Sequence, residues 1–373
     1  MGISVIQSFS REWANQESFS DPGIRAAIAG VGTAHPPVSY SQEELLEIFQ
    51  IKDRRIRSVF LNSAIDRRHL ILPALGEDGS FRVETQGELL RKHRTNAVDI
   101  GARAIQSCLD GLHLSTADIG YLCCVSTTGF LSPGLSALLI RELDLSEQCS
   151  RLDVVGMGCN AGLNALNAVA SWATANPGKC ALMLCVEICS AGYVLDDTMR
   201  TAVVNSLFGD GAAAVALIAT NQEESVRGPR LLKFHSRIIT QAIDAMRYDW
   251  NDSHGKFSFF LDPMVPYVVG EKIESTIDGL LSGTGLRRSD IAHWLVHSGG
   301  KKVIDSIKVN LGLSSYDLRH TTSVLRQYGN LSSGSFLFSY QRLLKEGKVE
   351  HGDYGVMITM GPGSTIESAL LRW

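Results

Sequence analysis

A chain of 373 residues, 45% apolar and 20% charged, holds material for one large domain or two and can bury a core without disulfide or metal staples. Its formal net charge of −4, with Lys and Arg scattered, argues against a nucleic-acid partner, which needs a basic face or stripe. No apolar run approaches the ~18 residues of a membrane helix, and the N-terminal MGISVIQSFSREWANQ lacks the basic flank and apolar core of a signal peptide.

Residues 1–26 read as a polar lead-in. The run AAIAGVGTA then reads as a strand, and a helix is expected near 42–50. KDRRIR (52–57) carries Arg54, Arg55 and Arg57, either as a solvated helix face or as a contact for an anionic cofactor. A helix near 96–112 and the strand YLCCVSTT follow. Strands alternating with helices predict an α/β fold with buried strands. The eight cysteines lie between Cys108 and Cys189 in apolar surroundings, with no CxxC pair. A disulfide framework or zinc site is therefore not expected, and a reducing, cytoplasmic setting is.

The second half echoes the first. Residues 107–129 match 280–300, aligning Asp118 with Asp290. Residues 154–172 match 326–344 at nearly the same offset, placing Asn330 where Cys159 stands. FGDGAAAVALI (208–218) matches HGDYGVMITM (351–360) at a shorter offset, which implies extra residues between the first central helix and its last strand. The pattern predicts two duplicated halves, 27–225 and 226–373, about a pseudo-two-fold axis.

Three residues stand out for chemistry. Cys159 follows the run LDVV and a Gly-Met-Gly turn and opens a helix of small residues. A helix N-terminus favours thiolate, so a lowered thiol pKa is expected. His297 ends the run AHWLV before Ser-Gly-Gly, beyond a strand's carboxyl end, where ligands collect in α/β folds. Such a histidine can hold a thiolate or donate to an oxyanion. His293 shares its face by strand alternation. Asn330 can serve as a neutral donor to an enolate, or as a helix cap. Gly361-Pro362-Gly363 can bring backbone N–H groups near a thioester, or can simply punctuate a turn.

Together GCNAG around Cys159, LFGDGAAA (207–214), HSGG with His297, YGNLSS with Asn330 and GPGSTIE (361–367) resemble the chalcone-synthase-like type III polyketide synthases over residues 27–373. The resemblance implies a thiolase-type αβαβα fold, a homodimer, no metal, no permanently bound cofactor and coenzyme A thioester substrates. Carried over, Cys159 holds the growing chain, and His297 with Asn330 stabilises the enolate of decarboxylating malonyl-CoA. His297 also keeps the thiol ionised. Phe208 is the gatekeeping phenylalanine, with Phe259 the choice for a second and Phe260 its competitor. Gly299, Gly300, Gly361, Pro362 and Gly363 border the substrate, and Arg54, Arg55 and Arg57 are coenzyme A candidates. The chain departs from the plant-type pattern at Asn160-Ala161-Gly162, at EICSAGY (187–193) and at Asp66.

Longer stretches, among them KDRRIRSVFLNSAIDRRHL, MRTAVVNSLFGDG and RQYGNLSSGSFLFSY, are similar to members that use malonyl-CoA as both starter and extender in antibiotic biosynthesis. That likeness implies four malonyl units joined and closed to an aromatic ring, with companion enzymes resembling enoyl-CoA hydratases. Rival readings are a ketoacyl synthase III making a single condensation, a type III synthase with a different starter and product, an inactive scaffold of the same fold, and, most remotely, a cysteine peptidase.

Overall fold

The computed structural model describes residues 23–73, 83–112, 114–196, 198–220 and 228–373. Most of the expected lead-in and the boundary at 225/226 lie outside these residues. The lead-in's last residue, Ala26, already belongs to the first strand.

In chain order, β1 (Ala26–Ala34) is followed by a small ladder of β2 (Ser39–Ser41) and β3 (Arg67–His69). The ladder brackets α1 (Gln42–Ile48) and α2 (Arg54–Leu61), and α3 (Gln86–Asp110) follows. Next come β4 (Ile119–Val125), α4 (Leu135–Glu142), β5 (Ser150–Val154), α5 (Ala161–Ala175), β6 (Cys180–Glu187), α6 (Met199–Leu207) and β7 (Gly211–Ala219). The chain continues through β8 (Arg230–Ile238), the hairpin β9 (Met246–Asn251) and β10 (Lys256–Leu261), α7 (Val265–Leu281) and β11 (Ile291–Val296). It ends with α8 (Lys301–Leu311), α9 (Arg319–Tyr328), α10 (Ser335–Glu346), β12 (Tyr354–Gly361) and β13 (Thr365–Arg372). The helix expected near 96–112 starts ten residues earlier, because Thr85 and Glu88 form a capping box that satisfies its first N–H groups.

Nine strands form one sheet in the order β11-β12-β13-β8-β1-β7-β6-β4-β5. Pairing on the two sides of the β8–β1 seam is the same. β4–β6 and β11–β12 are parallel; β6–β7 and β12–β13 are antiparallel; so are β7–β1 and β13–β8. By position, β12 is therefore the counterpart of β6 and β13 that of β7. This corrects the third echo, which aligned β7 with β12.

Alternating strand residues build five layers. On β6, Leu182 and Leu184 pack outward with α3 and α4, while Ala181, Met183 and Cys185 join α5 and α10. On β12, Met357 faces that same central pair, while Val356 and Ile358 join α7 and α8. The result is the expected αβαβα arrangement. Within the central layer Phe336 and Leu337 are fully buried, and burying such side chains contributes ~1.5–3 kcal/mol each. A Cβ at Gly162 would lie 2.3 Å from the Ser333 carbonyl oxygen. Glycine there lets the starts of α5 and α10 touch. Among the described residues no helix is long and apolar enough to cross a membrane.

Candidate active site

Where α5 and α10 begin, a cavity of about 360 Å³ opens, lined by Cys159, Thr127, Ser332, Phe208, Phe259 and Pro362 among others. Cys159 sits in the short turn Gly158–Asn160 that leads into α5. Gly156 and Gly158 both take positive φ, which makes the turn sharp. Cys159 is 6% exposed, and its sulfur lies 3.5 Å from Ser332 Oγ.

The roof over the sulfur is backbone. A Cβ on Gly361 would meet Asn160 Oδ1 at 2.4 Å and Cys159 N at 2.9 Å; one on Gly158 would meet Pro362 at 2.2 Å. Pro362 and Gly363 line the cavity, whereas Gly361 packs behind them against the nucleophile turn.

Neither His297 nor Asn330 lines the cavity directly; both connect to it through serines. Asn330 Oδ1 accepts the Ser332 N–H at 2.8 Å, and among the described residues no acceptor takes its Nδ2 amide. The side chain thus caps the turn Ser332–Gly334 with its oxygen and keeps its donor free. His297 Nδ1 bonds Ser335 Oγ, and among the described residues Nε2 has no hydrogen-bond partner. Position in the turns also corrects the echo here. Ser333, not Asn330, is the central residue of the turn that opens α10, as Cys159 is for α5. Asn330 stands just before that turn.

Burial sets the charges. It pushes the Cys159 thiol up to about 12, with Glu187 adding to the effect, and pushes the His297 imidazole down to about 3. Both shifts favour thiol and neutral imidazole over the expected thiolate, because desolvation opposes the pull of the helix terminus.

Glu187, fully buried at the end of β6, is a site residue that pattern reading missed. Its carboxylate accepts from Ser333 Oγ at 2.6 Å, Thr127 N and Oγ1 at 3.0 Å, and Ser332 Oγ at 3.3 Å. Burial raises its pKa. The available signal was one acid ending the apolar run CALMLCV.

The Phe208 and Phe259 rings stand nearly perpendicular, 5.8 Å apart, in the cavity wall. Phe260, on the opposite face of β10, instead packs under the guanidiniums of Arg247 at 4.4 Å and Arg200 at 5.1 Å. Geometry thus favours Phe259 for the second wall position.

The remaining candidates lie elsewhere. Gly299 and Gly300 form the β11–α8 junction, where a Cβ on Gly299 would lie 3.1 Å from His297, and neither lines the cavity. Arg54 and Arg55 are exposed in the first turn of α2, and Arg57 donates to the Ile51 carbonyl at 3.0 Å; none of the three lines the cavity. Asp66 pairs with Arg326 at 2.9 Å on the surface. His293 is occupied by Asp353 at 2.7 Å. Among the described residues no three His, Cys, Asp or Glu side chains converge as metal ligands.

Fold and site together define a thiolase-like condensing enzyme, and the chain belongs to the type III polyketide synthase family. The family described as FAE1/type III polyketide synthase-like protein matches residues 55–286, and the chalcone and stilbene synthase C-terminal domain matches 247–373. At finer grain, the chain is 62% identical to a 3,5-dihydroxyphenylacetyl-CoA synthase of Amycolatopsis balhimycina over the whole of both chains. It is 63% identical to one of Amycolatopsis orientalis over 93% of each. Among solved structures, 1,3,6,8-tetrahydroxynaphthalene synthase of Streptomyces coelicolor A3(2) superposes with a TM-score of 0.84 at 28% identity, covering 93% of this chain and 99% of that one. PKS-I of the brown alga Ectocarpus siliculosus gives 0.88 at 28%, covering 95% and 99%.

Proposed function

We propose that this chain joins four malonyl units from malonyl-CoA and closes them to 3,5-dihydroxyphenylacetyl-CoA. The observation that carries this reading is full-length identity of 62% to a relative of that name. It is supported by a largely apolar cavity with a cysteine on its wall.

Cys159 Sγ attacks the thioester carbonyl of the starter malonyl-CoA. His297 Nε2 accepts the thiol proton and keeps it, and coenzyme A leaves as a thiolate that takes its proton from solvent. A second malonyl-CoA loses carbon dioxide. The enolate oxygen that forms is held by Asn330 Nδ2–H and by the Nε2–H of His297, which carries the proton taken from the thiol. The enolate carbon attacks the Cys159 thioester, the new carbon–carbon bond forms, and the cysteine sulfur leaves. The lengthened chain, now on coenzyme A, returns to Cys159 for the next round. Holding the nucleophile and its substrate in one small cavity supplies orientation that free thioesters lack. The reading includes a homodimer and companion enzymes resembling enoyl-CoA hydratases.

The test is incubation of the purified protein with malonyl-CoA alone, with products identified by mass spectrometry. A tetraketide-derived 3,5-dihydroxyphenylacetyl product, free or on coenzyme A, is expected. Acetyl-CoA as the sole product would remove the malonyl-only reading. Cys159→Ala should abolish condensation; substantial product from it would refute the nucleophile assignment.

A further inference from the structure

The end of α6 ties the cavity wall to the enolate site. The last four carbonyls of a helix have no partner within it. Here all four have one. Asn205 O accepts from Arg68 Nη1 at 2.7 Å, and Ser206 O from Gln42 Nε2 at 2.8 Å. Leu207 O accepts the backbone N–H of Asn330 at 2.9 Å. Phe208 O accepts from Arg68 Nη1 at 2.7 Å and from the Tyr193 hydroxyl. A second strand-like bond returns from Gly209 N to Asn330 O at 3.0 Å, so Phe208 and Asn330 form a two-residue bridge.

Arg68 is the hub of this arrangement. Its side chain is fully buried, and among the described residues no carboxylate is hydrogen-bonded to its guanidinium. Nη2 donates to Gln42 Oε1 at 2.8 Å, which orients the amide that serves Ser206. Its Nε has no partner. A buried cation is costly. This one sits at a helix C-terminus, where the peptide dipoles favour positive charge. Gly329 packs on its methylenes: a Cβ there would lie 2.8 Å from Arg68 Cδ.

We propose that Arg68 is a positioning residue for condensation. By closing the α6 carbonyls it fixes where Phe208 stands in the cavity and, through the Phe208–Asn330 bridge, where Asn330 presents its amide. The inference rests on the roles of Phe208 and Asn330 given above.

The experiment compares full-length wild type, Arg68→Lys, Tyr193→Phe and Asn330→Ala. Carbon dioxide release, condensed products and melting temperature are measured with malonyl-CoA. Lysine keeps the charge but lacks the fork that reaches several acceptors. Arg68→Lys should lower kcat roughly 100-fold, the scale of an ångström misplacement, with KM within about twofold and a larger share of prematurely released products. Tyr193→Phe, which keeps the ring and removes one donor, should shift the same readouts in the same direction by roughly fivefold. It stays informative if Arg68→Lys does not fold. A lowered melting temperature with unchanged turnover and product distribution in Tyr193→Phe, or in a folded Arg68→Lys, would overturn the proposal and leave Arg68 merely structural. Unchanged decarboxylation in Asn330→Ala would remove the enolate reading itself, and this inference with it. Slowed decarboxylation in Asn330→Ala alone, with both other variants like wild type, would overturn Arg68's role only.

Discussion

Two connections occupy equivalent places on the two sides of the sheet and are built in opposite ways. Between β6 and β7 the chain spends residues 188–210, including α6. Between β12 and β13 it spends only the turn Pro362–Ser364. Both reach the cavity. The long connection presents side chains, Cys189, Val204 and Phe208 among them, while the short one presents Pro362 and the backbone of Gly363. One wall shapes space by bulk and the other by close approach of backbone to the nucleophile. The same strand frame thus supports two kinds of control, and substitutions on the two walls should fail differently.

Backbone approach tolerates least. Gly361→Ala forces a methyl into Asn160 and the Cys159 amide, so product formation should fall about 100-fold or more; turnover near wild type would dissolve the contrast. On the side-chain wall, Phe208→Ala and Phe259→Ala should leave turnover within about tenfold while changing the lengths of released products, since they enlarge the cavity without touching the nucleophile turn. Phe260→Ala separates wall from support. It removes a stacked partner of Arg247 and Arg200 worth ~0.5–1 kcal/mol, so melting temperature should drop slightly and the product spectrum should not move. A changed spectrum would put Phe260 on the wall instead.

A separate test concerns the nucleophile at rest. With the thiol pushed up to about 12, the thiolate fraction at neutral pH is small and grows as pH rises. Iodoacetamide alkylation of Cys159 should therefore accelerate about tenfold per pH unit from pH 7 to 10. A rate already flat above pH 6 would mean that the helix terminus wins over burial.

The chain's local signals exposed much of the site. The glycine turn before Cys159, the histidine ending an apolar run and the Gly-Pro-Gly turn are each legible from neighbours in sequence. The duplication was legible from the echo and the layered fold from the family resemblance, but the register was not. FGDGAAAVALI and HGDYGVMITM share a Gly-Asp and an apolar run, and apolar strands of similar composition align equally well at several offsets. Only sheet pairing shows that β12 matches β6, and that the longer segment is the one carrying α6. Ser332, Glu187 and Arg68 escaped for another reason. Each draws its role from partners far away in the chain, such as Cys159 for Ser332 and Phe208 for Arg68. The upward push on the Cys159 thiol was not legible either, because a helix N-terminus is visible in sequence and the depth of burial is not.

That resting state also bears on how the protein ages. Oxidation of cysteine to sulfenic acid and beyond proceeds through the thiolate and needs access. A thiol that burial pushes toward its protonated form, in a residue 6% exposed, offers peroxide little of either. Sulfenic acid formation at Cys159 should therefore lag behind that of an exposed cysteine when the protein is treated with peroxide.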